Sequence, residues 1–242
     1  MAEKQPNPKN LLKRIDLTTP LIGFYDAPDP NPFKPLIEPK DGKCIFSYFN
    51  EWMAGKTLHL TKEKSGCRGA ARHMFGVEFG PMDDFPKFLV DGEGLKASTK
   101  LMKKWVESRS TYKNKHDHIL VGPLKENMWE FARSISFYVN PDQLSMLMLG
   151  AEYNNSPDDP PAVIAPFGSG CMHLSPFANA EIPQAAIGNT DIAMREYLPE
   201  NILALTVTRS MFKQLCELDE KSFLYKPFIT RLRKSRGLPN LD

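Results

Sequence analysis

Two cysteines follow glycines in matching tripeptides, Ser65-Gly66-Cys67 and Ser169-Gly170-Cys171. A thiol just past a glycine sits where backbone N–H groups can crowd together and face a ligand. After Cys67 come Arg68, Gly69 and the helix formers Ala70, Ala71 and Met74, so Cys67 is expected at or just before a helix N-terminus. There the helix dipole and Arg68 would favour a thiolate, as a ligand or a reactive thiol; the alternative is a small buried residue. Cys171 and His173 form a Cys-x-His pair, and in a strand or turn residues two apart can face one way. A soft thiolate beside an imidazole suits zinc, iron or a tetrapyrrole iron, which makes Cys67, Cys171 and His173 the candidate metal ligands. A closed four-ligand zinc site would also draw on His73. Gly168, Ser169 and Gly170 follow a short apolar run and can form an anion-binding nest or simply a tight turn. They match neither the P-loop nor the dinucleotide fingerprint. Asp191 and Arg195, four apart, would pair on one helical face, and Arg195 completes the candidate ligand-binding set. Neither a Gly-x-Ser-x-Gly element nor an acidic two-metal cluster is present, which points away from hydrolases.

The chain that must position these groups has 242 residues, four of them cysteine. That length suits one domain built of two similar halves, and it needs no disulfide or metal merely to fold. A near balance of 31 basic and 29 acidic residues argues against a nucleic-acid partner. Neither an apolar leader nor an apolar run of membrane-spanning length occurs, so the expectation is a cytoplasmic protein, with no membrane partner and with its cysteines as thiols or ligands.

Periodicity supplies the elements. A short helix carries Leu11, Leu12 and Ile15; Leu21 to Tyr25 reads as a buried strand. Five prolines between Pro28 and Pro39 forbid a helix and a central strand there. Cys44 to Phe49 reads as a strand or as the start of a helix running to Met53. Thr57 to Thr61 alternates as a strand, and Arg68 to Phe75 is helical with Gly76 at its C-cap. Leu95 to Val106 forms an amphipathic helix with Leu95, Leu101, Met102 and Trp105 inward. Strands follow at Ile119 to Leu124 and Ser134 to Val139. Asn140-Pro141 then starts a helix with Leu144, Leu147, Met148 and Ala151 on one face. Ala162 to Ala165 and Pro183 to Ile187 are short strands. Asn201 to Thr208 leads into a helix carrying Met211, Phe212, Leu215 and Cys216. Residues 219–242 form a basic C-terminal helix or tail with its cations in solvent.

Ile22-Gly23-Phe24-Tyr25-Asp26-Ala27-Pro28-Asp29 echoes Ile135-Ser136-Phe137-Tyr138-Val139-Asn140-Pro141-Asp142. With the two Ser-Gly-Cys elements in the same order, this suggests a weak repeat over about 10–120 and 121–218, with Cys67 and Cys171 in comparable places.

Several of these stretches together resemble the family called domain of unknown function 169. They are Gly42-Lys43-Cys44, Gly55 to Leu60 leading into Cys67-Arg68-Gly69-Ala70, Phe137 to Gln143, the Gly170-Cys171 element, and Ile202 to Phe212. The resemblance runs from about residue 10 to 218. It implies a site at Cys67 to Gly69 and at Cys171, and a further Gly-Cys near Gly188-Asn189, where this chain has no cysteine. It carries no reaction with it.

The sequence thus predicts an α+β fold, a mixed sheet with flanking helices in two similar halves forming one domain. The expected function is binding of a small molecule or a metal-containing cofactor (iron, zinc, an iron–sulfur cluster or a tetrapyrrole) at Cys67, Arg68, Gly69, Gly168, Ser169, Gly170, Cys171, His173 and Arg195. The rival readings are a non-catalytic module for a small anion and a structural homodimer without ligand.

Overall fold

The computed structural model describes residues 4–77, 84–108, 111–165, 168, 170–177 and 182–241. Eight strands, β1 (Ile22–Ala27), β2 (Leu36–Ile37), β3 (Thr57–Leu60), β4 (His118–Pro123), β5 (Ala132–Val139), β6 (Val163–Ile164), β7 (Ala185–Gly188) and β8 (Leu203–Thr208), form one sheet. Its order is β2-β3-β4-β1-β5-β8-β7-β6. The outermost pairs, β2 with β3 and β6 with β7, are parallel, and the rest are antiparallel, which gives the expected mixed α+β sheet. Outward from β1 the chain runs β4, β3, β2; outward from β5 it runs β8, β7, β6, with the same parallel pairing at the end. The two sets meet at β1 and β5, where Ile22 faces Ser136 and Gly23 faces Ile135.

Strand residues alternate between two buried layers, as a period of two dictates. On one face Tyr25, Ile135, Phe137, Leu205 and Val207 pack under helices α1 (Lys9–Ile15), α6 (Pro141–Glu152), α9 (Arg209–Cys216) and α10 (Pro227–Ser235). The other face carries Ile22, Phe24, Leu58, Leu60 and Val121, covered by α2 (Phe49–Met53), α3 (Arg68–Phe75), α7 (Gly170–Phe177) and α8 (Ile192–Arg195). A further pair, α4 (Asp84–Asp91) and α5 (Thr99–Glu107), packs together. Under α7 the strands present small groups. Ser134 donates to the Leu174 carbonyl at 3.1 Å, Ser136 and Thr206 bond each other at 2.8 Å, and a Cβ on Gly188 would stand 3.1 Å from His173 Nδ1. Small strand residues therefore let a helix lie close against the sheet, and that closeness fixes α7.

Local chemistry explains most boundaries. Asn140 and Gln143 form a reciprocal capping box at the start of α6, with Pro141 at the first helical position. Gly76 closes α3 in the left-handed conformation, φ 63°. Thr208 caps α9 by accepting from the Met211 N–H. The Cys44 to Met53 segment is helical, a 3-10 turn over Ile45–Tyr48 followed by α2. The proline-rich loop holds β2, two residues long and at the sheet edge, where a proline neighbourhood is tolerated.

Three expectations change. Leu101 is 51% exposed, and α5 buries Met102 and Val106 instead. Arg233 of the basic C-terminal segment is buried: it donates to the Asp16 carboxylate at 3.2 Å and to the carbonyls of Pro239 and Arg14. The two Ser-Gly-Cys elements do not occupy matching places in the topology. Cys67 follows β3, whereas Cys171 follows β6, the strand that stands where β2 stands in the other set. The cysteine after β2 is Cys44.

Candidate functional site

Cys67 is the N-cap residue of α3, extended at φ −87°, ψ 162°, as its place before a helix former run predicts. The preceding Gly66 is left-handed at φ 80°, and a Cβ there would stand 2.8 Å from the Lys43 carbonyl oxygen. Its own carbonyl accepts from the Gly42 N–H at 3.1 Å. Gly66 therefore lets the 42–44 loop lie directly against the Cys67 turn, which brings Cys44 to the same place. Opposite, α7 packs on α3. Gly170 opens α7 with no room for a side chain: a Cβ would stand 2.4 Å from Asn189 Oδ1 and 2.5 Å from Phe46 Cζ. Its N–H is directed to Met194 Sδ at 3.3 Å, so this donor of the expected nest is already engaged.

The thiols of Cys67 and Cys171 both lie beside Gly69. A Cβ on Gly69 would lie 3.8 Å from each sulfur, so the two sulfurs are no farther apart than twice that distance. Beside them is a cavity of about 530 Å³ lined by Cys44, Cys67, Arg68, Gly69, Gly168 and Cys171. The thioether residues Met172 and Met194 line it too, together with aromatic and aliphatic groups of the α4–α5 pair, Phe85, Phe88, Leu89 and Trp105. Trp105 lies close to Gly168, which has φ 140°; a Cβ on that glycine would stand 3.1 Å from the indole and 2.8 Å from Met172 Sδ. Three of the chain's four cysteines thus border one mostly apolar space, and no disulfide joins any of the four.

The cavity's charged groups feel their burial. It pushes the Cys44 thiol up to about 11, backbone N–H groups of Phe46 and Ser47 oppose this, and the negative charges of Cys67 and Asp191 add to it. The Glu93 carboxyl is raised by burial first and by Asp191 second. His73, 5% exposed and a wall of the same cavity, is held down to about 4 by desolvation, then by Arg72 and His173, so its imidazole is neutral at neutral pH.

Not every predicted residue reaches this place. Residues 170–177 are a helix, where positions two apart are turned about 200° from each other at 3.6 residues per turn, so Cys171 and His173 face different ways. His173 is buried against Gly188 of β7, not in the cavity wall. Among the described residues no three His, Cys, Asp or Glu side chains stand close enough to hold a metal ion. Arg195 donates to the carbonyls of Pro199, Glu200 and Ile202, tying down the turn before β8. Asp191 does not pair with it; its carboxylate caps α8 by accepting from the Ala193 N–H at 3.0 Å. Ser169 lies outside the described residues. Cys44, the α4 aromatics, Trp105 and the two methionines were missed as a group. The available signals were Gly42-Lys43-Cys44, a third glycine–cysteine element with one residue inserted, and Phe85, Phe88 and Leu89 at helical spacing.

These features define an α+β protein with an open mixed sheet and a sulfur-bordered cavity on one face. The profile of the DUF169 family, described as uncharacterised ArCR, matches residues 10–218, and the chain belongs to that family. Neither a curated protein nor a solved structure matches it. No described helix is long and apolar enough to cross a membrane.

Proposed function

We propose that the protein binds a small molecule or a metal-containing cofactor in the cavity between α3, α7 and the α4–α5 pair. The observation that carries this reading is the convergence of the Cys67 and Cys171 elements, from distant parts of the chain, on one space of about 530 Å³. That volume lies within the ~300–1,000 Å³ of ordinary ligand sites, and so does its character, mostly apolar walls with a few polar groups. Arg68, Glu93, Asp191 and His73 are the polar wall groups, and they would fix the orientation of an occupant.

The strand order supports a second part of this reading, that the chain is two fused copies of one four-strand unit. In that arrangement Cys44 and Cys171 are counterparts, each following the short outermost strand of its set. The cavity would then be built from both copies, which explains why its cysteines are so far apart in sequence.

The test uses the full chain purified anaerobically. Native mass spectrometry, metal analysis and titration with an apolar fluorescent dye are compared between wild type and Gly69→Leu, which places a bulky side chain beside both sulfurs in the cavity wall. A bound species or saturable dye uptake in the wild type, lost in the folded variant, is the expected result. Identical behaviour of the two proteins in all three measurements would sink the proposal.

A further inference from the structure

We infer that the occupant of this cavity is an iron–sulfur cluster held by Cys44, Cys67 and Cys171; this rests on the cavity being a binding site. Three thiols from three separate segments border one space, at the start of the 3-10 turn, at the N-cap of α3 and in the first turn of α7. The fourth cysteine, Cys216, packs in the layer on the opposite face of the sheet. Thiolates select soft metal centres and are the usual ligands of iron–sulfur clusters. The remaining sulfur groups at the wall, Met172 and Met194, add polarizable rather than hydrated surface.

Spacing decides between one ion and several. Sulfurs on a single ion must converge to within two metal–sulfur bonds of about 2.3 Å each. Here the Cys67 and Cys171 sulfurs each lie 3.8 Å from the Gly69 Cβ position, and among the described residues no three candidate ligands come close enough for one ion. A multi-iron core separates its thiolates by its own width, so it does not require the convergence on one point that a single ion does. Apolar groups, Phe85, Leu89 and Trp105 among them, also line the cavity.

Three cysteines leave one iron of a four-iron core without a thiolate. His73 is the group placed for it, 5% exposed, with its Nδ1 lacking a hydrogen-bond partner among the described residues and its ring in the cavity wall. On binding, three S–H bonds break and three Fe–S bonds form, the three protons leave to solvent, and no electron moves. The cluster itself assembles from two ferrous ions, two ferric ions and four sulfides without any further oxidant.

Anaerobic reconstitution of the full chain with equal ferrous and ferric iron and with sulfide tests this directly. The expected product carries about four irons and as many sulfides per chain, with sulfide-to-iron charge-transfer absorption that dithionite bleaches. Cys216→Ser should match the wild type, while Cys44→Ser, Cys67→Ser and Cys171→Ser each lose most of the bound iron and sulfide. Gly69→Leu retains every thiol, so its loss of the cluster would place the cluster in the cavity beside Gly69 rather than reflect a missing ligand. Iron bound without sulfide, or a Cys44→Ser protein with wild-type iron and sulfide, would overturn the assignment. If no iron enters yet the dye still binds saturably in the wild type alone, the cluster is wrong and the cavity reading stands. If neither binds, both fail.

Discussion

Gly170 shows how tightly single positions are specified around the site. A methyl group there would overlap Asn189 Oδ1 at 2.4 Å and the Phe46 ring at 2.5 Å, whereas one on Gly69 would make ordinary contacts at 3.8 Å. Gly170→Ala should therefore cost about 1–3 kcal/mol in urea denaturation, and Gly69→Ala much less. Asp26, fully buried at the end of β1, plays a comparable part on the chain's other loops. Its carboxylate accepts from the Tyr112 hydroxyl at 2.7 Å and from the backbone N–H groups of Lys115 and His116 at 2.6 and 2.9 Å. Burial, with Asp26 beside it, holds the Tyr112 hydroxyl protonated well above its usual range. Asp26→Ala would orphan these donors, at about 1–3 kcal/mol each, and equilibrium unfolding should register the loss. At this scale the Cys67 turn was legible because a helix former run announced its cap. The place of His173 was not: the orientation of a residue two past Cys171 depends on whether the backbone there is turn or helix, and Gly168 and Gly170 just before it leave that open.

Among the elements, β3 and β4 carry a pair of histidines on adjacent strands, His59 Nε2 and His118 Nδ1, 3.0 Å apart, one ring donating and the other accepting. Burial first, and then the neighbouring His118, keep the His59 imidazole below its ordinary protonation range. The unfolded chain thus takes up its proton at a higher pH than the folded one. Stability should be fully present above the ordinary histidine value of about 6.5 and decline as pH falls below it. An NMR titration of the ring protons should find His59 titrating at higher pH in His118→Ala than in wild type, and acid unfolding of that variant should be less steep. Elements with strong periodicity or caps, such as α6 and β8, were readable. The helix α4 was not, because Pro86 falls inside it; in the first turn a proline lacks only a hydrogen bond that no helix would make there. β2 was hidden for a related reason, being two residues between prolines whose partner residues in β3 lie 21 positions away in sequence.

For the molecule as a whole, the junction of β1 and β5 is the centre of the sheet, with both strands flanked on each side and packed above and below. Hydrogen exchange should be slowest at Ile22 to Phe24 and Ile135 to Phe137, and markedly faster at β2, β6 and the α4–α5 pair. The interleaved strand and helix patterns made a mixed α+β sheet with flanking helices legible in advance. Tripeptide identity links Cys67 to Cys171, yet Cys67 follows β3 while Cys171, like Cys44, follows a short outermost strand. Only long-range pairing carries that information, and no local pattern encodes it. The strand order has one more effect, on how the protein behaves in a crowd. Both rims of the sheet are two-residue strands, one flanked by Pro35 and Pro39, the other preceded by Pro160 and Pro161. A neighbouring chain seeking to extend the ladder finds almost no free backbone to copy, so this open sheet resists the edge-to-edge growth to which long bare rims are prone.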